Sequence, residues 1–239
     1  MTVIACSKLG EPAAIEEAAA LGQLDFAELG RPLFVDPQWM NKAVKGETEQ
    51  IMRCIGCLNC YTETSRKEIY PMQRCCTANP ANLREDDYYQ LKPAAQVKKI
   101  LVVGGGLAGM EAAATLAKRG HHVRLCEKSD WLGGQFYVAS QEAEKMDYRT
   151  LIPHKQMVLE QSGAEVCLQT VVDHAYLEAY APDIVVLATG AVPKALPYQD
   201  TAHVNIVQGN DVILDQANVG ERVVVIGGRF IGLSVATKL

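Results

Sequence analysis

Along residues 1–44 a short apolar run gives way to a helical pattern twice over: TVIAC then PAAIEEAAALG, and DFAEL then DPQWMNKAV. Strand-sized runs answered by amphipathic stretches predict two β/α units and, with them, parallel strands. Pro12 stands where the first helix starts and Gly22 where it ends, since proline lacks a donor that the first turn leaves unpaired and glycine accepts the left-handed cap. Asp36 is placed to cap a second helix whose first residue is Pro37. Residues 51–90 hold no sustained period of either kind, which predicts a loop organised by something other than an apolar core.

From Lys98 the pattern changes. KKILVVGGGLAGMEAAATLAKRGHHVRLCEK reads as an apolar strand, a glycine turn, a helix and a second strand, the helix closing on Lys118, Arg119 and Gly120. Residues 149–161 pattern as a helix, and DIVVLATG at 183–190 as a further buried strand ending in a turn. The fold class is α/β. At an offset of 123 residues, ILVVGGGLAGMEAAATL repeats as VVVIGGRFIGLSVATKL, with Gly104, Gly105, Gly109, Ala113 and Leu116 falling on Gly227, Gly228, Gly232, Ala236 and Leu239. The second copy stops in mid-helix at Leu239, which reads as a truncated chain.

Composition narrows the function. The 239 residues are 49% hydrophobic and 21% charged, with 23 basic against 28 acidic side chains and a net charge of -5. Such a chain buries a core, which excludes intrinsic disorder, and it has no basic stripe for a phosphate backbone. No apolar run approaches the ~18 residues of a membrane span, and MTVIACSKLG has no basic region before a long apolar one, so the cytoplasm is the default location. Five of the eight cysteines, Cys54, Cys57, Cys60, Cys75 and Cys76, crowd into 23 residues. Without an export signal such thiols stay reduced and point to a metal. Cys6, Cys126 and Cys167 sit among apolar neighbours and read as small core residues, and the five histidines match no metal spacing.

Three stretches carry chemistry. Gly104-x-Gly106-x-x-Gly109, between a strand and a helix, provides a tight turn, a close approach of backbone to pyrophosphate and close helix packing. Glu127, ending the next strand, is placed to accept from an adenosine ribose, so a dinucleotide or ADP is expected. The second turn puts Arg229 at the middle glycine's position, predicting a weakened or modified nicotinamide site, and the residue that would separate NAD from NADP lies beyond Leu239. Cys54-x2-Cys57-x2-Cys60 has the spacing of a loop around a [4Fe-4S] cluster, with Cys75 or Cys76 as fourth ligand; zinc and free redox thiols are the alternatives. A cluster beside two dinucleotide-type turns suggests electron transfer.

RCIGCLNC, CTANPANLRE, VVGGGLAGMEAA, CEKSDWLGGQF and VVLATGAVP, in that order, resemble the iron-sulfur flavoproteins of the old yellow enzyme superfamily, which include 2,4-dienoyl-CoA reductase, 2-enoate reductase and trimethylamine dehydrogenase. The resemblance covers almost the whole chain. It implies the last two β/α units of an FMN-binding barrel at residues 1–50, a cluster loop and linker at 51–96, an FAD-binding Rossmann-like domain at 97–200 and the start of an NAD(P) subdomain at 201–239. For the cluster it implies Cys54, Cys57, Cys60 and, because the fourth ligand precedes x-x-Asn-Pro, Cys76. For FAD or ADP it implies Gly104, Gly106, Ala108, Gly109, Glu127, Lys128, Gly134 and Gln135 of LGGQ, and Ala188, Thr189 and Gly190; for NAD(P)H, Gly227, Gly228 and Gly232.

Gly30 and Arg31 in LGRPLFVDP would bind FMN phosphate, with Ser7 and Lys8 standing where the family has Gly-Arg. A complete barrel needs ~250 residues, so the substrate pocket and proton donor are expected before Met1, and no catalytic acid is assigned. The function implied runs from NAD(P)H through FAD and [4Fe-4S] to FMN and an activated C=C bond of a small molecule or acyl-CoA. The alternatives are an amine dehydrogenase-like enzyme whose rear domain holds ADP, and a non-catalytic electron-transfer module that docks on a barrel-bearing partner.

Overall fold

The computed structural model describes residues 1–60, 76–88, 90–194 and 205–239. They divide into two compact units, Met1–Lys92 and Pro93–Leu239. Among the described residues no helix is long and apolar enough to cross a membrane.

In the first unit β1 (Ile4–Cys6) and β2 (Phe26–Glu28) pair in parallel, Ile4 opposite Phe26 and Cys6 opposite Glu28. The crossover is α1 (Pro12–Ala20), which starts at Pro12 and is closed by Gly22 at φ +67°. Parallel neighbours need such a crossover, as the alternating pattern required. The second unit departs from expectation in one detail. Helix α3 (Trp39–Val44) begins after Gln38, and a short helix α2 (Arg31–Val35) precedes it, so Asp36 does not cap a helix starting at Pro37. The Asp36 carboxylate is 4% exposed and accepts from the amides of Gln38 at 3.0 Å and Met52 at 2.9 Å and from Lys42 Nζ at 2.6 Å. A long-range tether to the residue before the cysteines has displaced the local cap. Cys6, expected in the core, is exposed on β1, as are Ile4 and Phe26, because the described residues cover neither edge of the pair with further strands. Residues 51–60 form no helix or strand, and the short α4 (Glu85–Tyr88) follows the CTANP turn.

The Pro93–Leu239 unit is built on a parallel sheet of order β5-β4-β3-β6, from β3 (Lys99–Val103), β4 (His122–Cys126), β5 (Glu165–Cys167) and β6 (Ile184–Leu187). Helix α5 (Leu107–Lys118) joins β3 to β4, and α7 (Leu151–Gln161) joins the two after α6 (Gly134–Ser140). Alternation along the strands sends Ile100, Val102, Val123 and Leu125 into one cluster with Met110, Ala113 and Ala114 of α5 and Leu159 of α7. The opposite face carries Arg124 and Cys126, which meet Tyr176 of α8 (His174–Tyr180) at 3.4 and 3.3 Å. Arg124 also holds Glu165 through two bonds of 2.7 and 2.9 Å, and that guanidinium keeps the carboxyl below its usual value. Cys126 is buried as expected, and Cys167, half-exposed beside it, has its thiol pushed up by burial.

Two expectations for this unit need correction. β6 forms, yet Ile184, Val185 and Leu187 are 40%, 38% and 78% exposed: it is an edge strand, hydrogen-bonded only to β3 among the described residues. The apolar run at 223–226 forms no strand, and Val224 and Ile226 are 87% and 68% exposed. A strand exists only through a neighbour's backbone groups, and the described residues supply none there. The helices that follow, α9 (Gly209–Ile213) and α10 (Phe230–Lys238), do form, burying Val212, Ile213 and Val235 with Val138 of α6.

Leu125→Ala, at a position with no exposure, is expected to cost about 2–5 kcal/mol of unfolding free energy through its cavity. Val224→Ser is expected to stay within about 0.5 kcal/mol. Urea unfolding of the intact protein checks both.

Candidate cofactor sites

The glycine turn closes the C-terminal end of β3. Gly104 has φ +109°, a conformation open to glycine, and donates its N–H to the Cys126 carbonyl at 2.8 Å. A Cβ on Gly104 would overlap the Ala188 carbonyl, and one on Gly109 would overlap the Gly104 carbonyl. Both glycines are therefore demanded by the chain's own packing. Gly106 differs: at φ -70° and ψ 178° any residue fits the backbone, and an added Cβ would meet nothing within 4 Å. The space beside Gly106 adjoins the first turn of the twelve-residue α5, whose amides, Ala108 included, receive no side-chain cap. Uncapped amides at a positive helix end favour an anion.

The other expected residues gather at the same edge of the sheet. Glu127 follows β4 and is 8% exposed, with Oε2 accepting from Gly105 N at 2.6 Å and Oε1 from Ser129 N at 2.9 Å. Two of its roughly four lone-pair positions are thus used, leaving capacity to accept from a hydroxyl. Gly133 N donates to Gly105 O at 2.8 Å, and Gly133 and Gly134 take φ +113° and +54°, so the LGGQ turn is tied to the first glycine turn. Gln135 Nε2 reaches Ala191 O at 3.4 Å, while Ala188 N donates to Val103 O at 2.8 Å and Gly190 turns the chain at φ +67°. Lys128 is exposed. Sequence reasoning missed Gly105, whose Cβ would overlap Leu132 Cδ2, and Ser129. The signal for Gly105 was a third glycine where the motif needs two.

The second turn has the same backbone shape. Gly227 stands at φ +115°, and a Cβ on Gly232 would overlap the Gly227 carbonyl. Arg229, at φ -97° and ψ -171°, carries no backbone strain, so its side chain simply occupies the direction that Gly106 leaves open.

In the N-terminal unit Ser7 and Lys8 follow β1, and Gly30 and Arg31 follow β2, at the C-terminal ends of neighbouring strands. Ser7 and Lys8 sit at φ +80° and +53°, the left-handed region that glycine occupies without strain. Gly30 precedes α2, and an added Cβ would meet nothing within 4 Å. Arg31 has a second setting, since it lines one cavity with Cys54, Cys57, Cys60 and Cys76, together with Phe34, Ile55, Leu58, Thr77 and Ala78. Cys57 Sγ and Thr77 Oγ1 are 3.4 Å apart. Burial pushes the Cys76 thiol up, the amides of Asn79 and Ala78 donating to its sulfur pull it down, and Cys57 and Cys54 raise it again. Among the described residues no three His, Cys, Asp or Glu side chains converge as one metal ion requires. The donors instead stand around a shared cavity, an arrangement that suits a cluster taking one thiolate at each corner. Cys75 lies outside the described residues.

A model of the pyridine nucleotide-disulphide oxidoreductase family matches residues 73–150 and 99–239. The chain belongs to this family. Its glycine turns thereby join a pyridine-nucleotide oxidoreductase fold with bound-nucleotide geometry. Among similar proteins, an NADH oxidase of Thermoanaerobacter brockii is 37% identical over 99% of this chain and 37% of its own length. A cinnamate reductase of Clostridium sporogenes is 34% identical over 99% of this chain and 35% of its own. A solved 2-naphthoyl-CoA reductase, in complex with 2-naphthoyl-CoA, superposes with a TM-score of 0.87 at 30% identity, over 98% of this chain and 35% of that one. The chain thus spans little more than a third of these relatives. Names of C=C-reducing and acyl-CoA-reducing enzymes among them agree with the resemblance carried by the motifs.

The two kinds of glycine are separable by mutation. Gly109→Ala must part α5 from the turn and is expected to lose several kcal/mol of stability, whereas Gly106→Ala is expected to stay within about 1 kcal/mol of the parent. Thermal and urea unfolding of the two variants test this difference.

Proposed function

We propose that residues 1–239 are the electron-transfer portion of an iron-sulfur flavoprotein oxidoreductase of the enoate or 2,4-dienoyl-CoA reductase type. The observation that carries the reading is a four-cysteine cavity in one unit together with an uncapped, open glycine turn in the other. When bound, the cofactors would supply a route from NAD(P)H through FAD and [4Fe-4S] to FMN, and from there to an activated C=C bond of a small-molecule or acyl-CoA substrate.

The residues have distinct tasks. Cys54, Cys57, Cys60 and Cys76 hold the cluster as thiolates. The amides at the start of α5, beside Gly106, receive the pyrophosphate of FAD or ADP, and Glu127 accepts from its ribose. Gly104 and Gly109 let α5 close on the turn, Gly134 and Gln135 and Ala188, Thr189 and Gly190 border the flavin, and Lys128 lies beside Glu127. Gly30, Arg31, Ser7 and Lys8 form the phosphate end of an FMN site on the last two units of a β/α barrel, residues 1–50. Residues 51–96 are then cluster loop and linker, 97–200 the FAD domain and 201–239 the start of the NAD(P) subdomain, with Gly227, Gly228 and Gly232 at its turn.

Cys57→Ala is expected to abolish substrate reduction by NAD(P)H in the intact protein while flavin reduction by NAD(P)H persists under anaerobic stopped flow. Undiminished turnover would remove the cluster from the route. Gly106→Leu is expected to lower bound flavin at least tenfold, read from the absorbance of the purified protein, since its side chain fills the space kept open there.

Arg229 favours one second reading, an amine dehydrogenase-like enzyme whose rear domain holds ADP and binds no nicotinamide. A side chain at that place stands where the first turn keeps room for phosphate. Rapid anaerobic bleaching of the flavin by NAD(P)H contradicts this reading; a flavin that NAD(P)H leaves oxidised supports it.

A further inference from the structure

Resting on the cluster reading above, we infer that Thr77 is a positioning residue that sets the cluster's reduction potential through its hydroxyl bond to the Cys57 sulfur. Thr77 lines the cysteine cavity, with Oγ1 at 3.4 Å from Cys57 Sγ. With a protonated thiol, Cys57 donates and Thr77 accepts. Once the sulfur is a cluster thiolate it has no proton, and a hydroxyl has both a donor and acceptor positions, so the bond reverses and Thr77 donates.

The reversed bond has a definite electrostatic effect. Reduction adds one negative charge to the cluster, and part of it resides on the cysteine sulfurs. A hydrogen aimed at one of those sulfurs therefore stabilises the reduced form more than the oxidised one, which raises the potential. The neighbouring donors act in the same direction, because the amides of Ala78 and Asn79 bond Cys76. One short turn, Cys76 to Asn79, thus contributes a ligand, two backbone donors to that ligand's sulfur, and a side-chain donor to a second ligand 19 residues earlier in the chain.

Thr77 is the separable member of this set. The amides belong to the backbone and survive any ordinary substitution. Arg31 lines the same cavity, but its charge also serves the proposed phosphate site, so its removal would change two things. Thr77 is neutral, and valine matches its shape while deleting only the hydroxyl. No electron passes through Thr77, and no proton is lost to or gained from it.

The experiment is a redox titration of the intact, anaerobically purified protein and its Thr77→Val and Thr77→Ser variants, followed by the EPR signal of the reduced cluster, with iron and acid-labile sulfide assayed on each. Thr77→Val is expected to lower the ratio of reduced to oxidised cluster about three- to tenfold at a fixed potential, the upper limit being about 59 mV for one electron. Thr77→Ser is expected to restore the parent value. Equal midpoint potentials for parent and Thr77→Val, at equal iron and sulfide, overturn the inference while leaving the cluster in place. A parent protein devoid of iron and sulfide overturns both the inference and the reading beneath it. Should Thr77→Val fail to assemble, proton ENDOR on the reduced parent decides: an exchangeable coupled proton that Thr77→Ala lacks supports the hydroxyl bond, and identical spectra refute it.

Discussion

The end of β3, where three successive glycines replace side chains with backbone, is the constraint on which the Pro93–Leu239 unit depends. Gly104 bonds to β4 through the Cys126 carbonyl, Gly105 receives Gly133 on its carbonyl and gives its amide to Glu127, and Val103 takes the amide of Ala188 after β6. Four separate segments therefore converge on a few main-chain groups. Such convergence is possible only where no Cβ intervenes, as the overlaps computed for Gly104, Gly105 and Gly109 make clear. The same dense wiring leaves Gly106 facing open space. Packing and binding are thus divided among adjacent glycines: the neighbours hold the turn rigid, and the remaining one keeps a surface free for phosphate.

In the Met1–Lys92 unit a buried carboxylate has the comparable task. Asp36 ties Gln38, Lys42 and Met52 to one point, and Lys42 Nζ also bonds the Gln50 carbonyl at 2.9 Å. The chain entering the cysteine segment is thereby held to α3 before any metal chemistry begins. On the far side of the cysteines, Asn79 bonds the Phe34 carbonyl at 3.2 Å and the Ala81 amide at 3.0 Å, anchoring the CTANP turn. Both ends of a stretch that lacks periodic structure are therefore fastened by polar side chains. Donor atoms held in advance lose less entropy when a cluster forms than donors on a free loop.

Comparison of the two glycine turns separates what a motif needs for folding from what it needs for a ligand. Gly227 and Gly232 reproduce the φ value and the close approach of Gly104 and Gly109, so the second helix meets its turn in the same way. Arg229 replaces Gly106 without strain, which shows that glycine there is a matter of space and charge, not of backbone conformation. The identity of that one residue changes what the turn can hold without altering how it folds.

The alternation of apolar and helical stretches determined the α/β class, the parallel pairing, α1 with its Pro12 and Gly22 ends, α5 with its glycine cap, and the edge of the sheet at which the glycine turns stand, because each is a local choice repeated at a short period. Glu127 was legible too, from its distance in sequence and its place after a strand. The role of Asp36 was not, since its partner Met52 lies 16 residues away and a local cap looked equally good on paper. Nor was the exposure of Cys6 or of β6, which depends on how many neighbours a strand finds. An apolar run states only that it can be buried. The failure of residues 223–226 to become a strand has the same cause. Hydrogen bonds of a sheet are always between segments, so tertiary structure alone decides whether a strand-like sequence becomes one. The cavity that gathers Cys54, Cys57, Cys60 and Cys76 with Arg31 and Thr77 likewise emerges only in three dimensions, because it joins residues from three stretches of chain that no single period connects.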